Sequence, residues 1–255
     1  AIIWGELDGN RHPSVGNIVY RYDGDLYPWA SGSLVANNVF LTAGHVTNGI
    51  SDVIDQGLLG LDDVFICFDS TDTLSTGATL HAISEIITHP DYRYKTEDWH
   101  DVGMIILQSD IEGIAPVTLP TSGLLDELKK ERMLTSGPQG TRIVCVGYGS
   151  FLEFPPPRIV YENKDRYLAK AGYLGLKKHW IVTLQNGPAG YGGTGYGDSG
   201  GPNFWVDGSG KEILVAVTSK GDPNLVATNI AYRVDTPEIL GFIKGVIASH
   251  QGRRS

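Results

Sequence analysis

The sequence predicts an all-β protein in two halves, ended by a single helix. Short runs rich in Val, Ile, Thr and Tyr are punctuated by 33 Gly and 13 Pro among 255 residues, the pattern of many strands joined by turns. The runs fall into two groups on either side of one charged, helix-forming stretch, and apolar residues at helical spacing return only at the end. Such a chain builds a sandwich or barrels.

The elements follow in order. Apolar runs at NIVYRY, SGSLVA, VFLTA, VFICF, TLHAISEIIT and VGMIIL lie between Asn17 and Leu107, separated by Gly, Asn, Asp and Pro, and six strands are enough for one small barrel. SGLLDELKKERML, residues 122–134, breaks the rhythm with helix formers and charge and reads as a connector, so a division near residue 120 is expected, into 1–120 and 121–255. The second half repeats the β pattern at RIVCVG, PRIVYE, RYLAKAGYLGL, HWIVTL, PNFWV, EILVAVTS and LVATNIAYRV. Thr236, Pro237 and Glu238 then form an N-cap, a first-turn proline and a first-turn acid. Ile239, Leu240, Phe242, Ile243, Val246 and Ile247 follow at helical spacing, predicting an amphipathic helix over about 236–250 that docks on a barrel.

Composition narrows the function classes. A net charge of −9 argues against a phosphate-neutralising surface, so nucleic acid is not an expected partner. No apolar stretch approaches the roughly 20 residues needed to span a bilayer, and the first residues lack the pattern of a signal peptide. An exported protein would therefore be seen here in its mature form. The two cysteines, Cys67 and Cys145, lie inside apolar runs and read as small buried hydrophobes, although two cysteines alone do not say whether they are bonded. No paired C-x-x-C, HExxH or i, i+4 histidine spacing occurs, so no metal or other cofactor is expected.

Three strings carry chemistry. GYGDSGGP, Gly195 to Pro202, embeds Ser199 in glycines directly after Asp198; glycines let the backbone approach a substrate and turn its N–H groups toward one point, as an oxyanion site requires. G-x-S-x-G alone is common, and the longer string is far more specific. SGSLVANNVFLTAGHV places His45 at a sharp bend after a strand, poised at a surface. HDVGMIIL places Asp101 at the start of an apolar strand, where a buried carboxylate can accept a bond from a histidine ring. By themselves, this histidine and this aspartate would more often be structural.

Together the strings, in the order His45, Asp101, Ser199, resemble the chymotrypsin-like (trypsin-like) serine peptidases over nearly the whole chain, from IIWGELDGNRHPSVG to the terminal helix. The resemblance implies two six-stranded antiparallel β-barrels, with His45 and Asp101 from the first facing Ser199 from the second. It implies an acyl-enzyme mechanism in which His45 is the general base, Asp101 its orienting carboxylate, and the Gly197 and Ser199 N–H groups the oxyanion donors. It further places Ser219 against the buried aspartate and Ser219, Lys220 and Gly221 beside an extended polypeptide substrate. Gly193 falls at the floor of the specificity pocket, with Thr194 beside it and Gly221 and Asn229 on its walls. With no carboxylate at that floor, cleavage after an uncharged residue is expected. IIWG resembles the family's freed amino terminus, so the amine of Ile2, once exposed by loss of Ala1, is expected to pair with Asp198. Secretion and a monomeric state are the expectations for such a protein.

The chain also departs from the family pattern. Ala30 and Val46 stand where a disulfide usually brackets the histidine, Gly195 stands for a cysteine, and Trp205 is expected opposite Cys145 in place of that cysteine's partner. Lys220 replaces a common aromatic beside the cleft, Asp222 alters the pattern next to it, and Gly44 replaces an alanine in a way expected to change little. Three other readings compete. An α/β-hydrolase esterase would need the order Ser, acid, His, and only His250 follows Ser199. A hydrolase of the same fold acting mainly on esters would use the same triad. A non-catalytic homologue that binds partners in the cleft would typically lack a triad residue.

Overall fold

The computed structural model describes residues 2–153, 158–160, 162–221 and 227–251. After a two-residue strand β1 (Glu6–Leu7), strands β2 (Val15–Tyr22), β3 (Asp25–Ala36), β4 (Val39–Thr42), β5 (Val64–Cys67), β6 (Leu80–Thr88) and β7 (Gly103–Leu107) close an antiparallel barrel in the order β2-β3-β4-β7-β6-β5. The turn chemistry is local. Tyr22 pairs with Asp25 across Asp23 and Gly24, both at positive φ (50° and 91°), the two-residue geometry that follows the twist of the strands it joins. Every residue of β4 and β7 is buried, which is why both read as unbroken apolar runs.

Helix α1 (Gly44–Asp55) separates β4 from β5, where the sequence reading had only a bend. GHVTNGISDVID carries two glycines, an asparagine and four β-branched apolar residues, so intrinsic propensity is weak. Val46, Thr47 and Ile50 are buried, and tertiary packing supplies what propensity does not. Helix α2 (Leu124–Lys130) occupies the charged connector.

The second barrel comprises β8 (Arg142–Gly147), β11 (Tyr167–Leu176), β12 (Trp180–Leu184), β13 (Pro202–Val206), β14 (Glu212–Gly221) and β15 (Thr228–Arg233). Their order is β11-β12-β15-β14-β13-β8, closed by a β11–β8 pairing. Between β8 and β11, β9 (Phe151–Glu153) and β10 (Arg158–Val160) form a separate two-stranded sheet, so the PRIVYE run is not a barrel strand. β1 lies on the edge of the second barrel's sheet, paired with β11. Helix α3 (Pro237–Gln251) buries Ile239, Leu240 and Ile243. Its Phe242 ring meets His89, 4.5 Å between centroids, and His250 contacts Glu85, so the helix docks on the first barrel.

One apolar core joins the barrels, including Val15, Leu41 and Met104 from the first and Val146, Phe204 and Tyr232 from the second. A buried polar cluster crosses the same junction. The fully buried Arg166 donates to Asp8, to the carbonyls of Val15 and Phe68 and to the Tyr148 hydroxyl, while His12 bridges Asp8 and Glu212 and stacks on Phe204. Burial alone would push these charges toward neutrality, but each has opposite charge in contact. His12 is raised to about 9 by Asp8 and Glu212 against its desolvation, and Asp8 is held down at about 2 by His12 and Arg166 against its own.

Both cysteines are free and buried, one in each barrel. The register corrects one expectation: Trp205 lies opposite Ile143, and Cys145 lies opposite Asn203, whose side-chain oxygen accepts from the thiol at 3.2 Å. Ala30 and Val46 are buried in one apolar cluster, so apolar packing occupies the place of the bracketing bridge.

Candidate active site

His45 stands in the first turn of α1, where backbone N–H groups have no partner within the helix. Asp101 supplies one. Its Oδ1 accepts the His45 main-chain N–H at 2.8 Å, and its two oxygens lie 3.1 and 3.0 Å from His45 Nδ1. The Ser219 hydroxyl donates to Oδ2 of the same carboxylate. Burial pushes Asp101 up, yet these donors outweigh it and hold the carboxyl below its ordinary range. His100, at φ 46°, turns the chain immediately before Asp101. Gly44 matters more than expected: a Cβ there would lie 2.9 Å from Tyr92 Cδ2 and 3.0 Å from the Val102 nitrogen, so glycine lets the start of α1 approach the backbone just after Asp101.

Ser199 comes from the second barrel, in the turn ahead of β13. The turn is bound tightly to the first barrel. Ser31 N–H donates to the Ser199 carbonyl at 3.0 Å, and Ser31 Oγ donates to the Gly197 carbonyl at 3.0 Å. A Cβ on Gly200 would fall 2.7 Å from the Ala43 nitrogen, two residues before His45. Asp198 is wholly buried; its carboxylate accepts the Gly149 and Gly195 N–H groups, both at 2.7 Å. Side chains on Gly147 or Gly149 would collide with that carboxylate. Burial pushes Asp198 above the ordinary carboxylate range even so. Ile2 is also buried, and Ile3 exchanges main-chain bonds with Gly193. Ala1 lies outside the described residues.

Asp198, Gly200 and Gly201 each donate to a carbonyl, whereas the N–H groups of Gly197, at φ 94°, and Ser199 donate to no acceptor among the described residues. The Ser199 hydroxyl likewise makes no hydrogen bond there, to His45 or to any other described residue. Loose nucleophile–base contacts are common before a substrate is bound.

Around the expected pocket, Gly193 and Thr194 are buried, and Thr194 N–H donates to Gln185 Oε1 at 2.9 Å. A Cβ on Gly193 would overlap that same oxygen, so the neutral Gln185 amide occupies the space that a side chain at 193 would need. Gln185 was missed by sequence reasoning, because nothing marks a glutamine eight residues before a glycine. Asn229 is fully buried, and its amide donates to Asn203 Oδ1 at 3.2 Å. Gly221 ends β14, and Asp222 lies outside the described residues. Lys220 is half-buried, its Nζ 4.2 Å from the Trp99 ring centroid and 4.1 Å from that of Trp180. Burial lowers its pKa, while the Asp101 charge opposes that.

The family model described as Trypsin matches residues 6–239. The chain belongs to the trypsin family. Membership of this family of serine endopeptidases accords with the two barrels and the terminal helix. No curated protein matches the sequence. Among the described residues no helix is long and apolar enough to cross a membrane. Asp91, His100 and Glu238 present ligand atoms within 4.8 Å of one another, a grouping no sequence spacing announced; two of the three are exposed carboxylates, which commonly cluster without an ion.

Proposed function

We propose that this trypsin-family protein is an active, secreted serine endopeptidase that cleaves polypeptides through an acyl-enzyme. In this reading, Ser199 attacks the scissile carbonyl and His45 takes its proton. Asp101 holds the imidazole with Nδ1 protonated, and the Gly197 and Ser199 N–H groups receive the oxyanion. Division of the chain near residue 120 gives each barrel its share: His45 and Asp101 from one, Ser199 from the other. The observation that carries the reading is the pair of N–H groups at Gly197 and Ser199 with no acceptor among the described residues, in a turn whose Gly200 packs on Ala43, two residues before a histidine tied twice to a buried aspartate. Donors held without a partner are what a developing negative charge requires. A protein that only binds in its cleft has no need of that arrangement.

An uncharged residue before the scissile bond fits the neutral floor of Gly193, Thr194 and Gln185, where an unpaired cation would cost several kcal/mol. Activation by a free amine at Ile2 is supported by the burial of Ile2 and of the Asp198 carboxylate. A form beginning at Ile2 should then exceed the Ala1 form in activity, and equal activities would refute that step. For the reaction itself, Ser199→Ala should lower kcat on a peptide substrate by on the order of 10⁴ or more. Turnover within a few-fold of the parent would refute the assignment.

A further inference from the structure

A lysine beside the cleft is held in an unusual way. The Lys220 ammonium lies over the faces of both Trp99 and Trp180, whose rings meet edge to face with centroids 5.7 Å apart, and both indoles are nearly buried. Two indole faces fix where the charge sits without neutralising it. No carboxylate forms an ion pair with Lys220 among the described residues. Asp101 is occupied by His45 and Ser219, and Asp98 by the Tyr232 hydroxyl and His179. A cation so placed, partly withdrawn from water, attracts an anion more strongly than a mobile surface lysine does.

The strand bearing Lys220 has an open edge at that point. β13 stops pairing with β14 at Val217, and Thr218 is closed by Gly200 and Gly201. Beyond it, Lys220 and Gly221 pair with β15 on one side and with no other strand among the described residues. An extended peptide adds to such an edge by main-chain hydrogen bonds, with alternate side chains on one face. If the residue before the scissile bond lies alongside Ser219, the second lies opposite Lys220. Cross-strand neighbours share a face, so the second and fourth substrate side chains point toward the lysine.

We propose that Lys220, seated in the notch between Trp99 and Trp180, selects polypeptides carrying a carboxylate side chain at the second or fourth residue before the bond to be cut. The inference rests on the endopeptidase reading. It names the substrate class of that cleft as acidic on this side, next to a pocket that takes an uncharged residue.

The test uses matched chromogenic peptides with Leu before the bond and Glu, Gln or Lys at either position, and reads the ratio of kcat/KM for Glu over Gln within each enzyme. Taking the ratio cancels any general loss of activity in a variant. The parent enzyme should favour Glu by about tenfold at low ionic strength, and the ratio should shrink as salt is added. Lys220→Met should bring it to about one, and Lys220→Arg should retain a preference for Glu because the charge is kept. A parent ratio near one, or an undiminished ratio in Lys220→Met, overturns the proposal while leaving the endopeptidase reading intact. Should Lys220→Met fail to fold, the salt dependence of the parent ratio decides. If no peptide is cleaved and a serine-directed phosphonate does not label Ser199, the endopeptidase reading has failed and the proposal falls with it.

Discussion

Asp101 accepts two hydrogen bonds from one residue, the main-chain N–H of His45 at 2.8 Å and its ring Nδ1 at 3.0 Å. One carboxylate thus satisfies a donor at the start of α1 and sets the ring orientation, so the helix end and the imidazole cannot move independently. Asp101→Asn keeps the shape but can present an N–H to the ring and favour the wrong tautomer. It should lower kcat by on the order of 10³–10⁴ with little change in KM. Steady-state kinetics decide it, and a variant within tenfold of the parent would mean that the ring is oriented by something else.

Ser31 ties the first barrel to the turn containing Ser199. Its hydroxyl donates to the Gly197 carbonyl and accepts the Tyr148 N–H, each at 3.0 Å. Ser31→Ala should lower kcat roughly tenfold through a loosened Gly197, and stability by about 1 kcal/mol through the orphaned N–H. Kinetics and urea unfolding on the same sample separate the two effects. A stability loss with unchanged kcat would make Ser31 purely structural.

If Gly193, Thr194 and Gln185 form the pocket floor as proposed, peptides with Ala, Leu or Phe before the scissile bond should be cleaved in preference to those with Arg or Lys. Gln185→Glu keeps the acceptor for Thr194 N–H and adds a negative charge where a Gly193 side chain would stand. The variant should raise the Lys-over-Leu ratio of kcat/KM by about tenfold or more. A parent enzyme that favours Arg or Lys would show the pocket assignment to be wrong.

The buried cluster at the barrel junction makes stability depend on pH in a stated direction. His12 is raised from an ordinary 6.5 to about 9, so its contribution is fully present below pH 6.5 and is lost as pH rises through about 9. Asp8 is held down from 3.8 to about 2, so its contribution is present above pH 3.8 and lost as pH falls through about 2. Urea midpoints should therefore decline between pH 7 and 10 in the parent and less steeply in His12→Gln. Parallel curves would remove His12 from the account.

Both thiols are buried, and burial pushes Cys67 up to about 12. A thiol reagent should find neither cysteine at neutral pH in the folded protein and both after denaturation, and reductant should leave the melting temperature unchanged. A drop in melting temperature on reduction would show a bond that the structure does not contain.

How much was legible in the sequence follows from where each signal resides. Strands such as VFLT and GMIIL are apolar along their whole length, and Asp23-Gly24 dictates its own turn, so local chemistry announced the first barrel. α1 was missed because its propensity is weak and its helicity comes from contacts distant in the chain. Ser199 sits in a distinctive string of its own, whereas His45 and Asp101 gained meaning only from their order with it, since either alone would more often be structural. Gln185, Ser31 and the Arg166 cluster could not be singled out, because a lone glutamine, serine or arginine acquires its role only when the fold brings Gly193, Gly197 or Asp8 beside it. The Trp205 register failed for the same kind of reason: it depends on how β13 slides along β8.

The central claim is that Ser199 is a nucleophile activated by His45, and covalent titration tests it most directly. A fluorophosphonate should label the parent protein once per chain, at Ser199 by peptide mapping, with peptidase activity lost in proportion, and His45→Ala should label far more slowly. A folded parent protein that hydrolyses peptides without being labelled at Ser199, or that neither hydrolyses nor labels, would contradict the account.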